Sequence, residues 1–220
     1  MAGITSHTRL KEDFKVGNEW RISKLITHSP YVYEQVHSIS GMRWSGIGKR
    51  CKVGSLEQKK HPNYIGCVNN YLDFQEFVEW SRSEVGYQKF EENGNAWCID
   101  KDILGNRSKI YSPETCIFIP NRVNVFLTLR TLFRGEYPLG VSWKTKNNKF
   151  TAQMTYNGSN YLGLFEDPME AHRAWQRAKI GAGREIAEPY KETHGKLYCG
   201  LNAWCDMVQA DHDNYRETKF

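Results

Sequence analysis

Between Trp97 and Asn124 the chain sets two carboxylates, a lysine and an amide in an order that suggests chemistry. The run Cys98-Ile99-Asp100-Lys101-Asp102-Ile103-Leu104 reads as a strand that ends on acids. After a loop, Thr115-Cys116-Ile117-Phe118-Ile119 reads as a second strand, and Pro120 opens a helix that carries Asn124. Carboxylate and amide oxygens at a strand end and on the next helix are donors of the kind a hard divalent cation takes. The same aspartates could equally cap a turn. No histidine falls between His61 and His172, so the side chain whose pKa lies nearest neutrality is missing here.

The elements around this stretch follow from pattern. Residues 1–28 are polar and read as irregular, with a short strand around Trp20-Arg21-Ile22. Ser29-Pro30 reads as an N-cap and first-turn proline for a helix from Tyr31 to about Ser38, which Gly41, Gly46 and Gly48 weaken beyond that point. Met42, Trp44, Ile47 and Cys51 still keep a partial helical stripe. Gly54 to Asn63 reads as a Lys-rich loop. Asp73, with Glu76 three residues on, caps a helix carrying Phe74, Phe77, Val78 and Ser81, closed by Gly86. The helix behind Pro120 is expected to reach about Arg130.

Near Arg134-Gly135 the period changes from helical to alternating. Strands are predicted over 140–144, 149–156 and 160–165, joined by turns at Asn147-Asn148 and Asn157-Gly158. Asp167-Pro168-Met169-Glu170 then opens a helix with Ala171, Ala174, Trp175 and Ala178 on one face, ending near Gly181. A short helix after Arg184, a loop and a helix over about 197–208 complete the reading.

The blocks Gly140-Val141, Lys149-Phe150-Thr151-Ala152-Gln153-Met154, Tyr161-Leu162-Gly163-Leu164-Phe165 and Glu170-Ala171-His172 occur in order and at matching spacing. Over about 45 residues this segment resembles the APETALA-two/ethylene-response-factor DNA-binding domain. The resemblance implies a three-stranded sheet laid in the major groove with a helix behind it, and contacts from Ser142, Lys144, Lys146, Lys149, Thr151, Gln153, Thr155 and Tyr161. Alternation gives the same division: Phe150, Ala152 and Met154 face the helix, whereas Lys149, Thr151, Gln153 and Thr155 face outward toward phosphates and base edges. Ser142 stands where the plant proteins have arginine. His172 is expected on the helix surface.

The segment Ile99–Asn124 resembles the HNH (His-Me finger) group, especially phage-type homing endonucleases. Trp44, Lys49-Arg50-Cys51, Tyr64-x-Gly66-Cys67 and Phe74-x-x-Phe77-x-x-Trp80 resemble the segment upstream of such fingers. By that resemblance Asp100 falls on the acid, Lys101 on the histidine, Thr115-Cys116 on an Asn-Leu pair and Asn124 on the helix asparagine. It implies a magnesium or manganese ion held by Asp100, Asp102 and Asn124, with Asp100, Lys101 and Asn124 as the catalytic set. Arg107 and Arg122 would line the phosphate path. A lysine's ordinary pKa of about 10.4 makes it a poor general base, so Lys101 is assigned to the charge on the phosphorane.

A net charge of +5 is only mildly basic, but residues 137–165 hold Lys144, Lys146 and Lys149 without a carboxylate. No apolar run approaches the roughly 20 residues of a bilayer span, and the start lacks an apolar segment of the secretory type. The expected protein is therefore soluble and cytoplasmic, in a host cell if phage-encoded. Six cysteines, spread singly, read as thiols; Cys51, His61, Cys67 and Cys98 match no structural-zinc spacing. The expected fold is α+β: a nuclease-like domain over 1–133 with its ββα-metal finger at about 96–130 and flanking helices, a three-stranded antiparallel sheet on a helix over 134–182, and a helical tail over 183–220. The expected activity is metal-dependent hydrolysis of double-stranded DNA, with no small-molecule cofactor. The alternative is a nuclease-derived protein that binds DNA or a host protein without cutting.

Overall fold

The computed structural model describes residues 8–16, 19–27, 39–105, 108–128, 135–156 and 158–219. The helix expected over Tyr31–Ser38 lies outside them. The chain is α+β and divides into two compact units, one ending at Phe118 and the other starting at Ile119. The boundary expected near residue 133 would have left the finger helix in the first unit.

The first unit opens on an antiparallel hairpin, β1 (Thr8–Val16) and β2 (Glu19–Thr27), where only a short strand near Trp20 was expected. Next comes α1 (Ile39–Cys51), which runs through all three of its glycines. Tertiary packing overrides their low propensity. Ile39 and Ile47 are buried, and the Trp44 ring packs 5.5 Å from Phe77 and 6.1 Å from Phe74. Arg43 donates to the Tyr87 carbonyl at 2.9 Å and the Trp97 carbonyl at 2.8 Å, with its guanidinium 4.5 Å above the Phe118 ring.

The Lys-rich stretch read as a loop contains a helical turn, α2 (Leu56–Lys60), because the Ser55 hydroxyl caps it by accepting from Gln58 N. Helix α3 (Phe74–Ser83) starts as its sequence predicts, with the Asp73 carboxylate accepting from Glu76 N at 2.9 Å. Phe77, Trp80, Tyr71 and Phe118 form one aromatic core. Two strand pairs complete the unit: β3 (Val68–Asn69) runs parallel to β5 (Ile110–Tyr111), and β4 (Cys98–Asp100) pairs with β6 (Ile117–Ile119).

The second unit continues from β6 into α4 (Asn121–Leu127), shorter than the helix expected to reach Arg130, and then into β7 (Val141–Lys144), β8 (Lys149–Thr155) and β9 (Ser159–Phe165). These three strands form the expected antiparallel sheet, in the order β7-β8-β9. Its core face meets α5 (Pro168–Ala187) through Ala152, Ala171 and Ala174, with Val141, Phe150, Leu162 and Phe165 around them. A bulge in β9 resets the alternation there. Ala152 pairs with Gly163 but Gln153 with Tyr161, so Leu162 joins the core and Tyr161 turns outward.

Helix α5 does not stop at Gly181, and the short helix expected after Arg184 is its continuation. The reason is contact with α6 (Gly195–Asp213): a Cβ on Gly183 would lie 2.5 Å from Cys205 Sγ, so the two helices approach where glycine leaves room. The chain end returns over α5. Gln176 donates to the Arg216 carbonyl and the Thr218 hydroxyl, and Tyr215 stacks under Arg173 at 3.9 Å.

His172 is not on the surface. It is fully buried, 5.3 Å from the Trp175 ring and stacked on it. Its Nε2 accepts from Thr218 N at 3.0 Å, which leaves the proton on Nδ1 to donate to the Leu139 carbonyl at 2.8 Å. The imidazole thus ties α5 to both the strand entry and the tail.

Gly140, which precedes β7, has φ of +76°, and a Cβ there would meet Trp175 Cδ1 at 2.0 Å. Gly140→Ala should therefore destabilise the second unit by more than about 2 kcal/mol, since both the backbone and the indole must move. Chemical denaturation of the two proteins measures this; a loss below about 0.5 kcal/mol would contradict the fit.

Candidate functional site: a finger turn and an outward sheet face

The strand–loop–strand–helix order expected around Asp100 is present along the chain as β4, β6 and α4, with the short strand β5 inside the connecting loop. β6 is buried throughout at Ile117, Phe118 and Ile119, which fixes it as a core strand. β4 beside it carries Asp100 at its end, half-buried, and there the chain turns. Asp100 Oδ1 accepts from Asp102 N at 3.0 Å and Ile103 N at 2.9 Å, so the carboxylate closes the turn as an Asx cap. Gly105 completes it at close quarters: a Cβ there would meet the Lys101 carbonyl at 2.6 Å.

Lys101 points inward. It is 4 % exposed, and its ammonium is ion-paired to the exposed Asp102 carboxylate and lies 5.6 Å from the centre of the Tyr111 ring. Burial, then repulsion from Asp102, raises the Asp100 carboxyl to about 6, against the pull of the two backbone N–H donors and Lys101. Near the turn, Arg50 lies over Tyr64 at 5.2 Å, and its cation stays firmly charged beside Tyr111 despite burial. Burial also pushes the Cys51, Cys98 and Cys116 thiols up to about 11, which leaves them protonated and weakly nucleophilic near neutral pH. All six cysteines are free.

The expected ligand set is divided between the two units. Asp100, Lys101 and Asp102 belong to the first unit, and Asn124, half-buried on α4, belongs to the second. Among the described residues no group of three or more His, Cys, Asp and Glu side chains is placed to hold a metal ion. One Asp100 oxygen serves the turn's backbone donors, and the Asp102 carboxylate pairs with Lys101. Arg107 lies outside the described residues. Arg122 donates to the Tyr190 hydroxyl at 3.1 Å.

The sheet brings the expected contact residues together more closely. On its outward face Ser142 sits opposite Thr151, Thr151 opposite Leu164, Lys144 opposite Lys149 and Gln153 opposite Tyr161. Ser142, Lys144, Lys146, Gln153, Thr155 and Tyr161 are exposed. Thr151 is the exception: at 2 % exposure it is buried, with no hydrogen-bond partner for its hydroxyl among the described residues. As a small residue on the middle strand it lies below the level of its larger neighbours, so it does not reach out as the alternation predicted. Lys144 and Lys149 oppose each other with like charge, and Glu166 offsets this by pairing with Lys149 at 2.7 Å. Lys144 and Lys146 have no carboxylate partner among the described residues.

Exposed lysines also gather at the C-terminal ends of α1 and α2 and beside β5, in and around the stretch whose composition is Lys-rich.

The turn predicts a pH-dependent effect. Folded Asp100 keeps its proton to a higher pH than the unfolded chain does, so ionising it costs native stability as pH rises through about 6. Asparagine preserves the Oδ1 acceptor for both backbone donors and removes that cost. Without divalent cations, Asp100→Asn should stabilise the protein by roughly 1–2 kcal/mol near pH 8 and change nothing near pH 4. Thermal melts at the two pH values test this, and an equal shift at both would show that ionisation is not the cause.

No protein-family model, curated protein sequence or solved structure matches this chain, so its site is read from its own geometry.

Proposed function

We propose that the chain binds duplex DNA through the outward face of the β7-β8-β9 sheet. The observation that carries this reading is the composition of that face: exposed Ser142, Lys144, Lys146, Gln153, Thr155 and Tyr161, with no carboxylate anywhere from Val141 to Phe165. Gln153 and Tyr161 stand side by side across two strands, an amide able to pair with an adenine edge beside a phenol able to reach phosphate or sugar. A two-stranded β-ribbon, such as β8 with β9, fits the width of the major groove. No helix among the described residues is long and apolar enough to cross a membrane.

A second reading, cation-dependent hydrolysis of DNA at the finger, is favoured by the raised Asp100 carboxyl, since shifted carboxylates gather at functional sites. The pairing of buried Lys101 with the exposed Asp102 and the occupied Asp100 oxygen support holding over cutting.

Fluorescence anisotropy with a labelled duplex tests the first reading. The expected result is salt-sensitive binding that Gln153→Ala with Tyr161→Ala weakens by about tenfold to a hundredfold. Undiminished binding by that variant would remove the sheet from the interface. For the second reading, supercoiled plasmid is incubated with magnesium or manganese. The expected outcome is intact plasmid; nicking that Asp100→Ala or Asn124→Ala abolishes would establish the enzyme instead.

A further inference from the structure

The first unit carries a concentrated positive surface that the sheet reading does not use. Lys49 and Lys52 lie at and just beyond the C-terminal end of α1, Lys59 and Lys60 at that of α2, and Lys109 next to β5; all five are exposed. Lys109 donates to the Asn63 carbonyl, three residues beyond Lys60, which brings it to the same edge. Within residues 49–61 the one carboxylate is Glu57, which is half-buried and faces the Arg50 charge.

A solvated run of lysines is ordinary. This group differs because its backbone is held. Gln58 is 6 % exposed, and its amide joins three segments: Nε2 donates to the Arg50 carbonyl at 2.9 Å and the Tyr64 carbonyl at 3.3 Å, and Oε1 accepts from Gly54 N at 3.1 Å. The Ser55 hydroxyl adds a bond to the Lys49 carbonyl at 2.7 Å. The α1 end, the intervening turn and the start of the next segment are therefore fixed to one another, and their lysines project from one framework. Both helices also direct their carbonyl ends here, where cations are favoured.

We propose that this surface of the first unit binds the sugar–phosphate backbone of duplex DNA without regard to sequence. The inference rests on the DNA-binding reading given above, but on a different unit and different residues. Lysine is a compact, strongly hydrated charge that suits phosphate contacts made through position alone. The exposed apolar residues of these segments, Val53, Leu56, Ile65, Val68 and Ile110, are aliphatic, and the Tyr64 ring is half-buried and engaged by Arg50 and His61, so the face lacks the free aromatic residues that a membrane-seated face uses.

The test uses the full chain, a mixed-sequence duplex and a salt titration. Replacing Lys49, Lys52, Lys59 and Lys60 together by Gln should lower the slope of log K against log salt by about 3 to 4, because each phosphate contact contributes about 0.9. Affinity should fall by a similar factor for every duplex tested, and Lys→Arg at the same four positions should retain the native slope. Circular dichroism melts of the Gln variant guard against unfolding. A slope changed by less than about 1 in a folded Gln variant overturns the proposal, as does transfer of the lysine dependence to anionic phospholipid vesicles with none for DNA. Lys144→Gln with Lys146→Gln separates the two surfaces: a loss there with none in the α1–α2 variant keeps the sheet reading and rejects this one, and the reverse pattern keeps this one and rejects the sheet.

Discussion

Small side chains at the contact between α5 and the sheet are the constraint on which the second unit depends. Ala152, Ala171 and Ala174 let the helix lie close against the strands, and that closeness seats the Trp175 indole where only Gly140 leaves space. Once Trp175 is seated, His172 on the same helix stacks against it and reaches the Leu139 carbonyl on one side and Thr218 N on the other. The strand entry, the helix and the returning chain end are thus joined by one imidazole. The helix side of the sheet takes Val141, Phe150, Leu162 and Phe165, and the outward face is left with Ser142, Lys144, Gln153, Thr155 and Tyr161 exposed.

The first unit is organised by a different force. Its centre is a set of rings around Phe118, closed by Arg43, whose guanidinium covers the Phe118 ring while its N–H groups meet the Tyr87 and Trp97 carbonyls. That arrangement satisfies two backbone acceptors and buries a cation against a π face in a single stroke. It also fixes β6, and through the pairing of β6 with β4 it fixes the place where Asp100 ends its strand. The aspartate's behaviour follows from this placement. A carboxyl in a half-buried turn beside another carboxylate holds its proton more tightly, whatever use the turn has.

Much of the architecture was legible in the residue order. The Asp73 cap, the Asp167-Pro168 helix start, the strand–loop–strand–helix order around Asp100 and the three-stranded sheet all arise from local signals that tertiary packing reinforces. What failed was long-range. Glycines argued against α1 and against the full length of α5, yet packing of Trp44 in one case and contact with Cys205 in the other hold those segments helical. His172 read as a surface residue because its partners lie 33 and 46 residues away. Thr151 read as outward because alternation gives a direction but not a depth. At the finger, the aspartates were legible both as a site and as a cap, and the backbone hydrogen bonds that Asp100 accepts are contacts that residue order alone does not show. The grouping of the basic surface was not legible because its lysines come from two helix ends and the residue before β5, which the buried Gln58 and Lys109 draw together.

The way α5 meets α6 has a consequence for handling the protein. Cys205 is pressed so closely against Gly183 that a bulkier sulfur could not be accommodated without parting the helices, and burial holds its thiol at about 11. Cys67 and Cys116 are likewise enclosed, and Cys51 and Cys98 are partly covered. Cys199, on the same helix as Cys205, is the one cysteine that lies exposed. Cys199 is therefore the most accessible thiol of the chain, so a fluorophore or spin label directed there would report on the second unit without any residue having to be replaced.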